Sequence, residues 1–203
     1  MTSQGEKKIE WFERYVDAQS LAVNYLRSWS AEFKNIVNEL VETTGLNGRI
    51  FICGNGGSAA MANHFAIDMN KVANQGGGAE IQHSCISLSA NVSEITAIGN
   101  DLSFDRVFSE QLLWHRVGSD DLLIGVSTSG TSPNVVKACR TARENNAGVV
   151  ALTSLRAADA GVKDTMLNYS NFKLVVPSRH YGIVEDCHSV FLHALAYSFA
   201  EGV

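Results

Sequence analysis

Two pairs of side chains in this 203-residue chain join a carboxylate to an imidazole at helical spacing. His64 and Asp68 stand four apart, so on a helix they share a face. Glu185 and His193 stand eight apart, which is also one face, over about two turns. Asp186 and His188 fall on neighbouring faces of the same segment. An acid beside an imidazole can take a proton from carbon and pass one to oxygen, which is general acid–base chemistry. A lone helical histidine is ordinarily a surface or core residue, and that reading stands for each one taken singly. Two acid-plus-histidine pairs flanking an anion site fit it less well.

Two loops offer that anion site. Gly54-Asn55-Gly56-Gly57-Ser58 follows the apolar run Phe51-Ile52-Cys53 and precedes a helical pattern. Glycines let the backbone approach an anion with its N–H groups exposed, the next helix presents its positive end, and Ser58 adds a hydroxyl. The loop is neither a Walker loop nor a GxGxxG dinucleotide fingerprint. A tight strand-to-helix turn without a ligand has the same composition. The second loop, Ser127-Thr128-Ser129-Gly130-Thr131-Ser132, carries five hydroxyls in six residues. Caps and turns account for two or three of them; an oxyanion cradle accounts for the rest. Neither loop contains Lys or Arg. A sugar monophosphate held by amides and hydroxyls suits such loops better than a triphosphate with Mg²⁺.

The elements that must carry these residues follow from periodicity. Ile9, Phe12, Val16, Val23, Leu26, Phe33, Ile36 and Leu40 repeat at three, four or seven, which predicts a helix over Ile9–Val41, with Gly45 and Gly48 as stop signals. Trp11, Tyr15 and Trp29 widen its apolar stripe, as expected of packing on the same domain or on another subunit. Short apolar runs then alternate with helical patterns. Strands are expected at Arg49–Cys53, His83–Leu88, Asp121–Ser127, Gly148–Ser154 and Phe172–Pro177. Helices are expected at Ser58–Asn70, in VSEITAIG and FDRVFSEQLLWHR, from Ser132-Pro133 to about Asn146, and at Ile183–Glu201. Asn74–Glu80 and Ala157–Thr165 read as irregular connections. The pattern is that of an α/β protein with a doubly wound, mainly parallel five-stranded sheet covered by helices on both faces. Ligands of such sheets sit beyond the carboxyl ends of the strands, where both loops fall. The expected organisation is one domain, 1–203, with a helical extension over 1–45 and an α/β core over 46–203.

The apolar content is 45% and the charged content 18%, which allows an ordinary core. A net charge of -5 argues against a mainly electrostatic nucleic-acid binder. Cys53, Cys85, Cys139 and Cys187 share no CxxC spacing, and the first three sit in apolar patterns. Free thiols and a reducing, cytoplasmic setting are expected, with no membrane span.

CGNGGSAAMANHFA, AIGND and GVSTSGTSPNVVKA, in that order, resemble the sugar isomerase (SIS) family. Within it the chain is most similar to the phosphoheptose isomerase branch, over nearly its whole length. The resemblance implies the roles. In that branch His and, four on, Glu come from the helix after the first loop, while Gln and, eight on, His come from the last helix. Together they surround a divalent metal, usually zinc. Here the matching residues are His64, Asp68, Glu185 and His193, so Asp replaces Glu and Glu replaces Gln. Both changes keep oxygen donors, and two imidazoles with two carboxylates make a sound zinc set. The implied chemistry is enediol proton transfer on an open-chain sugar phosphate. Asp68 or Glu185 is the base and His193 works on oxygen. Asn100-Asp101 or the metal steadies the oxyanion. Asn55, Gly56, Gly57, Ser58, Ser127, Thr128, Ser129 and Ser132 hold the phosphate. The expected reaction converts sedoheptulose 7-phosphate to a heptose 7-phosphate for lipopolysaccharide or capsule synthesis, in a homotetramer with sites between subunits. Two alternatives remain at this point. One is an isomerase for another sugar phosphate. The other is a non-catalytic SIS assembly or regulatory protein, such as one that associates with a replication initiator. Arg179, His180 and Tyr181 are further candidates for substrate contact, or a plain loop.

Overall fold

The computed structural model describes residues 4–74, 85–159, 161 and 163–199. The expected long N-terminal helix is present over 4–45, with one tighter turn inside it. It is α1 (Gln4–Tyr25), a 3₁₀ turn (Leu26–Trp29) and α2 (Ser30–Gly45). The tighter turn lets Trp29 swing into the core, where it packs edge-on against Tyr25 with ring centroids 5.7 Å apart. Apolar spacing does not register this break, because three residues of 3₁₀ helix and one α-turn nearly coincide.

The α/β core follows as β1 (Ile50–Gly54), α3 (Gly57–Asn74), β2 (Cys85–Ser87), α4 (Val92–Asp101), α5 (Ser109–Trp114), β3 (Leu122–Val126), α6 (Pro133–Glu144), β4 (Gly148–Ser154), α7 (Leu155–Ala158), β5 (Phe172–Val176) and α8 (Tyr181–Tyr197). Strand β2 is shorter than the expected His83–Leu88, and its first two expected residues lie outside the described ones. So does most of the expected connection Asn74–Glu80. The other expected connection, Ala157–Thr165, is partly helical, since α7 runs into it. Among the described residues the strand order is β2-β1-β3-β4-β5 and each neighbouring pair is parallel.

Strand periodicity of two sorts the core into two layers. Ile50, Ile52, Leu122, Ile124, Val150, Leu152, Leu174 and Val176 face α2, α3 and α8. Phe51, Cys53, Leu123, Val149 and Ala151 face α4, α5 and α6. Three central strands are therefore apolar on both faces, as parallel strands must be. All four cysteines are buried and free. At the amino ends of β1 and β3, Arg49 Nη2 pairs with Asp121 Oδ2 at 2.7 Å, and the Asp121 Oδ1 accepts from the Arg49 backbone N–H at 2.8 Å. Burial opposes ionisation of Asp121, but these bonds hold its carboxyl below the usual range. The ion pair anchors the end of the sheet remote from the site.

The sheet order reverses between β1 and β3, whose carboxyl ends open into the two loops read from the sequence. Helices α3 and α8 both start at that edge and pack on the same face of the sheet. They run side by side in one direction. Gly57 of α3 meets Glu185 of α8, and seven and eight residues later His64 meets His193.

Candidate active site

The two loops meet around a cavity of about 140 Å³ lined by Asn55, Ser58, Val126, Ser127, Thr128, Ser129, Ser132, Tyr181 and Glu185. Several bonds fix its walls. Asn55 and Asn134 exchange amide hydrogen bonds at 2.8 and 2.9 Å, tying the first loop to the start of α6. Ser89 Oγ donates to the Gly54 carbonyl at 2.9 Å, and Ser154 Oγ donates to the Thr128 carbonyl at 2.7 Å. Gly130 takes φ +67° and lies so close to α7 that a Cβ there would stand 2.3 Å from Ala157 Cβ. Asn134, Ser89 and Ser154 were not singled out by sequence reasoning. Ser89 and Ser154 lie outside the loop motifs, and only the fold brings them there; Asn134 stands within the second motif, two residues past Ser132, and its bond to Asn55 is what spacing does not show.

Inside this frame Ser127 Oγ accepts from the Gly130 backbone N–H at 3.2 Å and Ser129 Oγ from that of Thr131 at 3.3 Å, which leaves both hydroxyl protons free for a ligand. Ser127 Oγ lies 3.3 Å from Ser129 Oγ and 3.2 Å from Ser132 Oγ, long contacts that a better acceptor would replace. Ser132 precedes α6 without capping it through its side chain. Thr128 Oγ1 is buried and has no hydrogen-bond partner. Together with the first turn of α3, these groups can receive a phosphate without a basic side chain. Gly56 (φ +53°) and Gly57 form the turn between Asn55 and Ser58.

The second cluster lies two turns along α3 and α8. His64 Nε2 and His193 Nε2 are 3.5 and 3.9 Å from the same atom, Asp68 Oδ2. That oxygen is buried and has no hydrogen-bond partner, while the imidazoles are 58% and 41% exposed. The three ligand atoms lie within 4.8 Å of one another. Donors about 2.1 Å from a tetrahedral zinc stand roughly 3.4 Å apart, so a small contraction would close this set on a cation. An orphaned buried carboxylate oxygen between two imidazoles fits the implied metal.

The remaining expected residues are dispersed. Glu185 is not one of the three clustered ligands; its carboxylate lines the cavity and lies against Gly57. Asn100 and Asp101 end α4 rather than forming a turn, and Asn100 Nδ2 donates to Asp101 Oδ1 at 2.8 Å. Neither belongs to the cavity lining or the triad. Tyr181 lines the cavity beneath the Arg156 guanidinium, 4.6 Å from its ring centroid. His180 packs edge-on against Tyr15 of α1, and Arg179 pairs with Asp159. His188 is buried under the site. Its Nε2–H donates to the Thr153 carbonyl at 3.1 Å, and burial pushes its pKa down to about 4, so the ring is neutral.

The SIS domain family matches residues 15–154. The match contains both loops, His64 and Asp68, and ends before α8. The phosphoheptose isomerase of Neisseria gonorrhoeae (strain NCCP11945) is 39% identical over 150 residues, 73% of this chain and 72% of that protein. The phosphoheptose isomerase of Aromatoleum aromaticum is 34% identical over 184 residues, 90% of this chain and 88% of that one. Among solved structures, phosphoheptose isomerase GmhA from Neisseria gonorrhoeae superposes with a TM-score of 0.77 at 31% identity, covering 97% of this chain and 98% of that one. A phosphoheptose isomerase from Francisella tularensis gives 0.78 at 25% identity, with 98% of each chain covered.

Proposed function

This chain belongs to the SIS domain family, and from that premise we propose that it is a phosphoheptose isomerase, interconverting sedoheptulose 7-phosphate and D-glycero-D-manno-heptose 7-phosphate. The observation that carries the reading is a pair of subsites on two parallel helices. One is a cradle of hydroxyls and amides without basic residues; the other is a buried carboxylate facing two imidazoles. Seven residues of α3 separate Gly57 from His64, roughly 10 Å at 1.5 Å per residue. An open-chain seven-carbon sugar phosphate spans that distance with its phosphate in the cradle and C1–C2 at the triad.

The chemistry follows from the residues. Ser127, Thr128, Ser129, Ser132, Ser58 and the start of α3, with Asn55, Gly56 and Gly57, hold the phosphate and so fix the reacting carbons. Asp68 or Glu185 takes the proton from C1 of the ketose, leaving a cis-enediol, and returns it to C2. Asp68 Oδ2 is suited to this, since no donor competes for it. His193 moves the hydroxyl proton between O1 and O2. His64, Asp68 and His193, with Glu185 as a fourth donor, would hold a divalent cation, and zinc suits two imidazoles and carboxylates. When bound, that ion supplies Lewis-acid stabilisation of the developing oxyanion.

The assembly we infer is a homotetramer. Ile9, Phe12 and Val16 of α1 are 60%, 61% and 42% exposed and, at spacings of three and four, share one apolar face that another subunit would cover. A cytoplasmic role in lipopolysaccharide or capsule synthesis accompanies this substrate. No helix among the described residues is long and apolar enough to cross a membrane.

Turnover of sedoheptulose 7-phosphate by purified protein, with chelator and with zinc restored, tests the reading. Metal-dependent turnover is the expected result. Folded protein that binds the sugar phosphate but turns over none of it under either condition would overturn the activity.

A further inference from the structure

Glu185 is the charged side chain in the cavity lining. Its carboxylate oxygens lie 2.7 and 2.9 Å from where a Cβ on Gly57 would stand, against the first residue of the 18-residue helix α3. It shares the cavity with Ser58, Ser127, Thr128, Ser129 and Ser132. Among the described residues no hydrogen bond or ion pair engages it. An unpaired anion thus rests at the positive end of the helix, in the place suited to a ligand anion. Two anions in a cavity of about 140 Å³ repel each other, with no basic side chain in the lining to relieve them.

On the same face of α8, two turns on, His193 joins His64 and Asp68 in the triad. The Glu185 carboxylate therefore sits in the cradle, roughly 10 Å along α3 from the triad. A phosphate in the cradle pushes the carboxylate out, and a cation at the triad draws it away from the cradle.

Building on the phosphate reading above, we propose that Glu185 is an internal competitor for the phosphate cradle, and that through it cation binding at His64, Asp68 and His193 and phosphate binding at the serine loop strengthen each other. Linkage makes the effect reciprocal: the factor by which the cation tightens the anion is the factor by which the anion tightens the cation. A glutamine of the same shape would fill the position without competing.

Equilibrium dialysis of the full chain against radiolabelled sulfate, at constant ionic strength, with chelator or with zinc, reads this directly. Glu185→Gln should bind sulfate at least fivefold tighter than wild type in chelator. Zinc should tighten sulfate binding to wild type by a similar factor and to Glu185→Gln less than twofold. Glu185→Ala, which removes the charge and the volume, should behave like the glutamine variant, and circular dichroism checks that each is folded. Equal sulfate affinity for wild type and both variants in chelator would overturn the proposal. So would an equal zinc effect in wild type and Glu185→Gln, which would mean that sulfate meets the metal itself. Absence of sulfate binding by wild type and variants under both conditions would remove the phosphate reading of the cradle, and the proposal with it.

Discussion

Acidification should unfold this protein partly through one buried imidazole. His188 is 1% exposed, and burial pushes its pKa down from 6.5 to about 4. In the unfolded chain the same ring titrates near 6.5. Its folded pKa is depressed, so the unfolded state binds the extra proton. The stability attached to the neutral ring is complete above pH 6.5 and falls away as pH drops towards 4. Integrating the proton difference between pH 7.5 and 5.0 gives a loss of about 2 kcal/mol. Asp105 and Asp121, whose carboxyls are held low chiefly by Lys137 and, against burial, by Arg49, act below this window. Glu39, pushed up by burial and by Glu42, works in the opposite direction, since its raised pKa favours the folded state as pH falls. Urea titrations at pH 7.5, 6.0 and 5.0, at fixed protomer concentration and in chelator, measure the loss. His188→Gln keeps an N–H donor for the Thr153 carbonyl and cannot titrate. It should start less stable and lose about 2 kcal/mol less than wild type over that range. Parallel losses in wild type and His188→Gln would refute the assignment of the neutral ring.

Three further outcomes follow from the site. Ser127→Ala and Ser129→Ala each remove a donor to a charged ligand and should raise KM for the sugar phosphate about tenfold or more, with kcat within about threefold; steady-state kinetics check this. His193→Ala should lower kcat by at least about a hundredfold while sulfate binding, by dialysis, persists. Gly130→Ala places a Cβ 2.3 Å from Ala157 Cβ and 2.8 Å from Thr153 Oγ1 at a positive φ. It should cost about 2–4 kcal/mol in urea titrations.

Most of the architecture was legible because parallel strands buried on both faces appear as short apolar runs. Ile50–Gly54, Leu122–Val126 and Gly148–Ser154 stand within a residue or two of their expected limits. The caps and turns around α6 were legible for a similar local reason: Ser132-Pro133 is a helix start whatever surrounds it. The break at Leu26–Trp29 was not, since it comes from Trp29 finding a place in the core rather than from any helix breaker. The extent of α4 was missed because Gly99-Asn100-Asp101 has turn composition, yet the helix continues to Asp101. Spacing placed His64 and Asp68 on one face, and the fold brings His193 to them from a helix more than a hundred residues away. Spacing also put Glu185 on the face of His193. Which end of the site its carboxylate would occupy depends on the register of α8 against α3, and only the packed helices define that.

The four buried thiols have a practical consequence. Burial pushes the Cys53 and Cys85 thiols far up, Cys139 up to about 12 and Cys187, with help from Asp186, up to about 11. Sheltered and protonated, they cannot meet an alkylating reagent until the element around them opens. Each then becomes a clock for its own region: Cys53 for the centre of the sheet, Cys85 for its edge, Cys139 for α6, and Cys187 for α8. Differences in labelling rate among the four would rank the opening free energies of the scaffold against that of the helix carrying Glu185 and His193.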